Sequence, residues 1–292
     1  MANLKEVRNR IASVNSTIQI TKAMKMVSAA KFKKATDRIV QIRPYSEQLS
    51  NVLGNIASGL QGDVSISYAK QSSVKKVLIV VVTSDKGLCG GFNANVVKIV
   101  RNLIAYDYKD LVDKGAVDIL AVGKKGNDAF KNSKININTD FIATFTKLNF
   151  EEASKAAQFA MDAFVGGYYV KVDVVYGQFK NAAVQIATHD QFLPIKLSEA
   201  KSKSNNDYAF EPQKEKLLEE LVPKILKTQF FRYLLDSNAS EHGARMTAMD
   251  KATENANELL NGLKLSYNRA RQAAITTELS EIVSGAAALS QG

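Results

Sequence analysis

The residues most able to do chemistry are gathered in one short loop. Ser84-Asp-Lys-Gly-Leu-Cys-Gly-Gly-Phe-Asn93 follows the β-branched run Lys76-Val-Leu-Ile-Val-Val-Val-Thr83 and precedes an apolar helical pattern from Ala94 to about Tyr106. A buried strand, a glycine loop and a helix is how phosphate-binding units begin, because backbone N–H groups at a helix N-terminus face the anion. Yet the glycines at 87, 90 and 91 fit neither G-x-G-x-x-G nor G-x-x-x-x-G-K-[ST], and no acidic residue ends the next strand, Val117 to Val122, to hold a ribose. The pattern reads first as a tight strand-to-helix turn with Asn93 as N-cap, with nucleotide binding the minor alternative. Cys89 follows a leucine in an apolar turn and reads as a buried structural thiol. Ser84-Asp85 has no histidine nearby and no G-x-S-x-G elbow. His189 and His242 stand alone and read as surface or packing residues, and the pairs Glu151-Glu152 and Glu219-Glu220 as solvated helix faces. Two histidines and one cysteine argue against a structural zinc site. No catalytic, cofactor or metal residue is expected.

The elements that position this loop form an α/β domain. Val117–Val122 is a second strand and Lys124–Lys131 a short helix; Ile135–Phe141 is a weaker strand. Asn149-Phe-Glu-Glu152 opens a helix to about Val165, with Asn149 as N-cap, and Gly166-Gly167 ends it. Tyr169–Phe179 and Ala182–Ile195 form an antiparallel hairpin turning at Lys180-Asn181. The middle is therefore a mostly parallel, Rossmann-like sheet with a hairpin at one edge.

The two ends of the chain carry heptads. From Met246 the spacing runs Met246, Met249, Thr253, Ala256, Leu260, Leu263, Tyr267, Ala270, Ala274. At the N-terminus it runs Leu4, Val7, Ile11, Val14, Ile18 and resumes at Phe32, Ala35, Ile39, Ile42, Ser46, Leu49, Leu53, Ile56. Such seams call for a partner helix, and each end is the other's obvious partner in an antiparallel, left-handed coil. One helix is expected from about Asn3 to Ser58, with a kink near Gln41–Pro44; helix restarts near Pro212, and Pro223 suits the first turn of one long helix to Gly285. Between Ile18 and Phe32 the seam positions are Thr21, Lys25 and Ser28, while Ile20, Met24 and Val27 offer an apolar face one step round the helix. A third surface would cover that face. The Ala- and Met-rich seam buries little area per layer, so the outer half of the coil is expected to depend on something outside this chain. The expected organisation is a coil from 1–58 and 211–292, an α/β domain over 75–197, and linkers at 59–74 and 198–210.

The net charge of +10 is uneven: residues 1–60 carry ten Lys and Arg against three Asp and Glu. A basic first helix steers toward acidic partners. No run of 18 apolar residues is present to span a membrane. The first residues start an amphipathic helix with no signal or transit character, and a single cysteine suits a reducing compartment.

Two stretches are more specific. Ile18-Gln-Ile-Thr-Lys-Ala-Met-Lys-Met-Val-Ser-Ala-Ala-Lys31 and Tyr267-Asn-Arg-Ala-Arg-Gln-Ala-Ala-Ile-Thr-Thr-Glu-Leu-Ser-Glu-Ile-Val-Ser-Gly-Ala-Ala-Ala-Leu289, with Asp85-Lys-Gly-Leu-Cys-Gly-Gly91 between them, resemble the γ subunits of F-type ATP synthases over essentially the whole chain. The resemblance implies a non-catalytic central rotor. Its coil stands inside a ring of three α and three β subunits, and its α/β domain rests, with ε, on the membrane c ring. Turning of the ring would drive the catalytic β subunits in sequence. The family's sheet binds no nucleotide, so no cofactor is expected, and the membrane is met only through the complex. Met24 and Lys25 match positions at the acidic lever segments of β, Arg245 faces the same levers, and Arg271 and Gln272 match a pair bonded to a β loop. Gly285, Ala286, Ala287, Ala288 and Leu289 match the apolar bearing tip. The absence of the two-cysteine insertion of chloroplast relatives and of a transit segment points to the cytoplasmic face of a bacterial plasma membrane. Ala274 and Thr277 depart from common family residues with little expected consequence. Two other classes compete: a nucleotide-binding α/β enzyme with a helical dimerisation arm, which requires saturable nucleotide binding, and a basic hairpin binding nucleic acid, which requires steeply salt-dependent affinity. No aromatic interleaving supports the latter.

Overall fold

The computed structural model describes residues 4–58, 67–69, 75–182, 184–195 and 214–290. Asn3, the glycines at 59 and 62, Pro212, most of 59–74 and all of 198–210 lie outside the described residues, as do the side chains of Leu53, Ile56 and Ala288. Thirteen elements follow in order: helix α1 (Leu4–Ser58), β1 (Val77–Val82), α2 (Phe92–Asn102) continuing as a π-helical turn (Leu103–Asp107), α3 (Lys109–Asp113), β2 (Val117–Val122), α4 (Lys124–Phe130), β3 (Asn136–Asn138), a 3₁₀ segment (Ile142–Lys147), α5 (Phe150–Val165), β4 (Lys171–Phe179), β5 (Gln185–Leu193) and α6 (Lys214–Ser290). They divide into two compact units, Ser28–Arg245 and Met1–Val27 with Met246–Gly292.

In the first unit the strand order is β3-β2-β1-β4-β5. β1 pairs in parallel with β2 and β4, β2 in parallel with β3, and β5 runs antiparallel to β4. Every residue of β1 and β2 is buried, as befits strands covered on both faces; β1 is an unbroken apolar run, and β2 is apolar except for Asp118. One face packs Leu78, Val80, Val82 and Val174 against α5 and against Val222, Leu226, Phe230 and Tyr233 of α6. The other packs Val77, Ile79 and Val81 against Val96, Val100 and Phe130 of α2 and α4. The α5 cap forms as its sequence dictates: Asn149 Oδ1 accepts from Glu152 N at 2.8 Å, and Gly167 ends the helix with φ of 73°. In the same unit α1 and α6 meet through Ala35, Ile39, Leu235 and Ala239, the two alanines leaving room for Ile39 and Leu235. A Cβ at Gly243 of α6 would lie 3.2 Å from the Phe32 ring and from the Ala182 carbonyl, a tight contact that would require a neighbour to shift.

Two expected boundaries are corrected. α6 does not begin at Pro223; the proline lies inside a helix that starts at Lys214. A proline there forfeits a hydrogen bond to Glu219, whose side is exposed, while Val222, Ile225 and Leu226 anchor the turn in the core. α1 runs through Pro44 to Ser58, the end expected for it. Asn93 is not an N-cap: α2 already starts at Phe92, and the Asn93 side chain reaches back to Ser84, accepting from its N–H at 3.0 Å.

In the second unit the expected antiparallel pairing is present. Arg8 Nη2 donates to the Tyr267 hydroxyl at 3.1 Å, Thr253 Oγ1 to Thr21 Oγ1 at 2.8 Å, and Lys25 Nζ lies 2.5 Å from Asp250 Oδ1. The seam stays inside even where it turns polar, because the Thr21 and Thr253 hydroxyls lie within hydrogen-bond distance of each other and each also has a main-chain acceptor in reach, Thr17 O and Met249 O. Among the described residues no helix is long and apolar enough to cross a membrane.

Candidate functional site

The glycine loop sits at the C-terminal end of β1, the point in the strand order where open α/β sheets take ligands. Here α6 fills that place. Arg245 Nη2 donates to the carbonyls of Lys86 at 2.9 Å and Gly87 at 3.3 Å, and Nε to Gly87 at 3.4 Å. Nη1 pairs with Glu241 Oε1 at 2.7 Å and lies 3.3 Å from His242 Nδ1. The loop thus directs carbonyl oxygens, not N–H groups, at a guanidinium whose planar fork suits several acceptors at once. Cys89, buried as expected, packs with Phe92 on Ala244 of α6. Leu88 is held with φ of 62°, a left-handed conformation that costs a branched L-residue about 1 to 2 kcal/mol, and is 65% exposed.

Burial raises the Glu241 carboxyl, and Arg245 opposes that rise. His242 is depressed to about 4 by burial first and then by Arg245 and Lys31, so it is neutral and can accept an Arg245 N–H. Neither histidine therefore stands alone. Nε2 of His189 lies 3.2 Å from Asp173 Oδ1, beside Lys171 at 3.4 Å and the Tyr108 hydroxyl. Burial alone would raise the Asp173 carboxyl; His189, Tyr108 and Lys171 outweigh it and hold it below the usual range. Asp118 has a parallel arrangement, with the Tyr169 hydroxyl at 2.7 Å and Lys76 at 2.8 Å. Both tyrosines are pushed well above their ordinary values, by burial first and then by the carboxylate they donate to. These two buried clusters lie near the N-terminal ends of β2 and β4, away from the glycine loop, and tie the sheet together. An aspartate inside an otherwise apolar strand, Val117-Asp-Ile and Val172-Asp-Val, is the signal that sequence reading passed over.

The residues expected to meet other subunits are placed as follows. Arg245 is only 8% exposed and is committed internally. In the other unit Lys25 is half-buried and paired with Asp250, Met24 is half-buried, and Ile20, Met26 and Val27 are exposed. Arg271 and Gln272 are exposed, and Arg271 makes no hydrogen bond or ion pair with any described residue. Tyr267 stands opposite Arg8, near the described end of the pairing. Beyond that point Ile275, Leu279, Ile282, Val283 and Leu289 recur on helical spacing and are exposed, Leu289 by 86%. Gly285, Ala286 and Ala287 are exposed among them.

A sheet whose ligand crevice is occupied by its own helix, and a helix end with an uncovered apolar stripe, are features of a subunit shaped for a larger assembly. The chain belongs to the family of ATP synthase gamma chains. The family model described as ATP synthase matches residues 3–289. The chain is 55% identical to the ATP synthase gamma chain of Cytophaga hutchinsonii over 293 residues, 99% of each chain. It is 53% identical to that of Flavobacterium psychrophilum over 292 residues, again 99% of each. Among solved structures, a chain from the central stalk and c-ring of Tetrahymena thermophila mitochondrial ATP synthase aligns with a TM-score of 0.56 and 27% identity, covering 80% of this chain and 99% of that one. A chain from the Euglena gracilis mitochondrial enzyme shares the fold, with a TM-score of 0.65 and 21% identity, covering 98% of this chain and 94% of that one.

Proposed function

We propose that the chain is the central, non-catalytic rotor of an F1Fo ATP synthase, which couples ion flow through a membrane c ring to sequential conformational change in three catalytic β subunits. The observation that carries this reading is the exposed apolar stripe of α6 beyond Arg271. Gly285, Ala286, Ala287, Ala288 and Leu289 would turn in an apolar bearing formed by α and β, where non-directional contacts resist rotation least. Met24, Lys25, Arg271 and Gln272 would meet β at angles that change with rotation, and Arg245 would serve the same interface from beneath its surface. Residues 1–58 and 211–292 would form the shaft, and 75–197, with ε, its foot on the c ring. The complex would hold the chain peripherally at the cytoplasmic face of a bacterial membrane.

Purified α and β subunits assayed with and without the chain test this. A complex of three α, three β and one copy of the chain that hydrolyses ATP faster than α and β alone is expected. Failure of competent subunits from the same source to assemble with it would refute the proposal. In reconstituted vesicles Arg271→Ala should lower ATP synthesis more than assembly; an unchanged synthesis rate would remove Arg271 from the contact set.

A further inference from the structure

Arg245 combines three properties that an outward contact residue does not need. It is buried, its counter-charge Glu241 is buried beside it, and its Nε and Nη2 donate to two main-chain carbonyls of one loop. We propose that Arg245 is a positioning residue that clasps the 84–91 loop onto α6, so that the exposed Leu88 moves with the helix and not as an independent loop tip. Three features of the loop support this. Its base is tied by Ser84 and Asn93, whose side chains bond each other at 2.7 Å. Its interior is filled by Cys89 and Phe92 against Ala244, one residue before Arg245. Its tip holds a left-handed leucine, a conformation that persists only where surrounding contacts impose it. Lysine could replace the charge that Glu241 requires, but a single ammonium cannot span the Lys86 and Gly87 carbonyls as the guanidinium does.

The sole cysteine of the chain provides the readout, since Cys89 is 2% exposed and its cover is the surface the clasp holds in place. Thiol labelling of the full chain, followed by mass spectrometry of the Cys89 peptide, is compared with thermal unfolding of the same samples. Arg245→Lys should label at least about tenfold faster than wild type, as expected when charge-assisted bonds to the loop are lost, with the unfolding midpoint little changed. The double variant Arg245→Met with Glu241→Gln removes both buried charges and should label faster in the same way, which keeps the test valid if a lone buried Glu241 prevents folding of simpler variants. Lys86→Ala, which leaves the carbonyl in place, should label as wild type. Wild-type labelling rates in both Arg245 variants would overturn the proposal, as would faster labelling that only tracks global unfolding. No partner subunit is needed, so failure here is distinct from failure of the rotor reading.

Discussion

Along α6 the usual sorting of side chains is reversed between two regions. Within the sheet-bearing unit the helix buries the charged side chains of Asp236, Glu241 and Arg245. Beyond Arg271, in the other unit, it exposes Ile275, Leu279, Ile282, Val283 and Leu289. Buried polar groups are tolerable only when bonded, and those bonds fix one arrangement of neighbours; Arg245 and Glu241 fix the loop, and Asp236 pairs with Arg43 at 3.3 Å. Exposed apolar groups fix nothing by themselves and gain only when something removes them from water. One region is thus specified from within, and the other waits on a partner.

Substitution should separate the regions most sharply through packing. Phe230, fully buried against Phe192, should lose about 3 to 5 kcal/mol on truncation to alanine, read by urea denaturation of the chain alone. Ile282→Ala should change the same measurement by less than about 0.5 kcal/mol, because Ile282 is 67% exposed. Equal losses would mean that the chain covers its own tip.

Acid should act on the sheet-bearing unit through His242. The folded chain holds this imidazole neutral down to about pH 4, while the unfolded chain gains a proton below about 6.5. Stability therefore falls as pH drops from about 6.5 toward 4, by on the order of 2 to 3 kcal/mol. His242→Gln should flatten the unfolding free energy across that window and leave it little altered at pH 7.5; an unchanged slope would assign the acid sensitivity elsewhere. The smallest effect belongs to Lys25 and Asp250. Both are substantially exposed, so a double-mutant cycle on the chain alone should return a coupling of about 0 to 1 kcal/mol. A larger coupling would make this pair a structural tie like the buried ones.

Much of the fold is legible in the chain because it is written locally. The apolar run at 77–82, the second strand at 117–122, the cap at Asn149 and the two heptad seams each announce their element. What escaped reading depends on tertiary neighbours. Pro223 looks like a helix start until Val222, Ile225 and Leu226 are seen to anchor it in a core. Asn93 has the composition of a cap, yet Ser84 captures its side chain. Arg245 matches an outward-facing position by resemblance, and only the approach of the glycine loop shows its internal bonds. The tip residues match an apolar bearing by resemblance, and their exposure is visible only in the folded chain.

Hydrogen exchange of the amides from 272 to 289, followed in the chain alone and in its complex with α and β subunits, addresses the central contrast directly. The account predicts fast exchange in the free chain, well above that of β1 and the buried stretch of α6, and slowing of at least about tenfold on assembly, the signature of a helix end stabilised by its surroundings. Equal protection in the free and assembled states would contradict it.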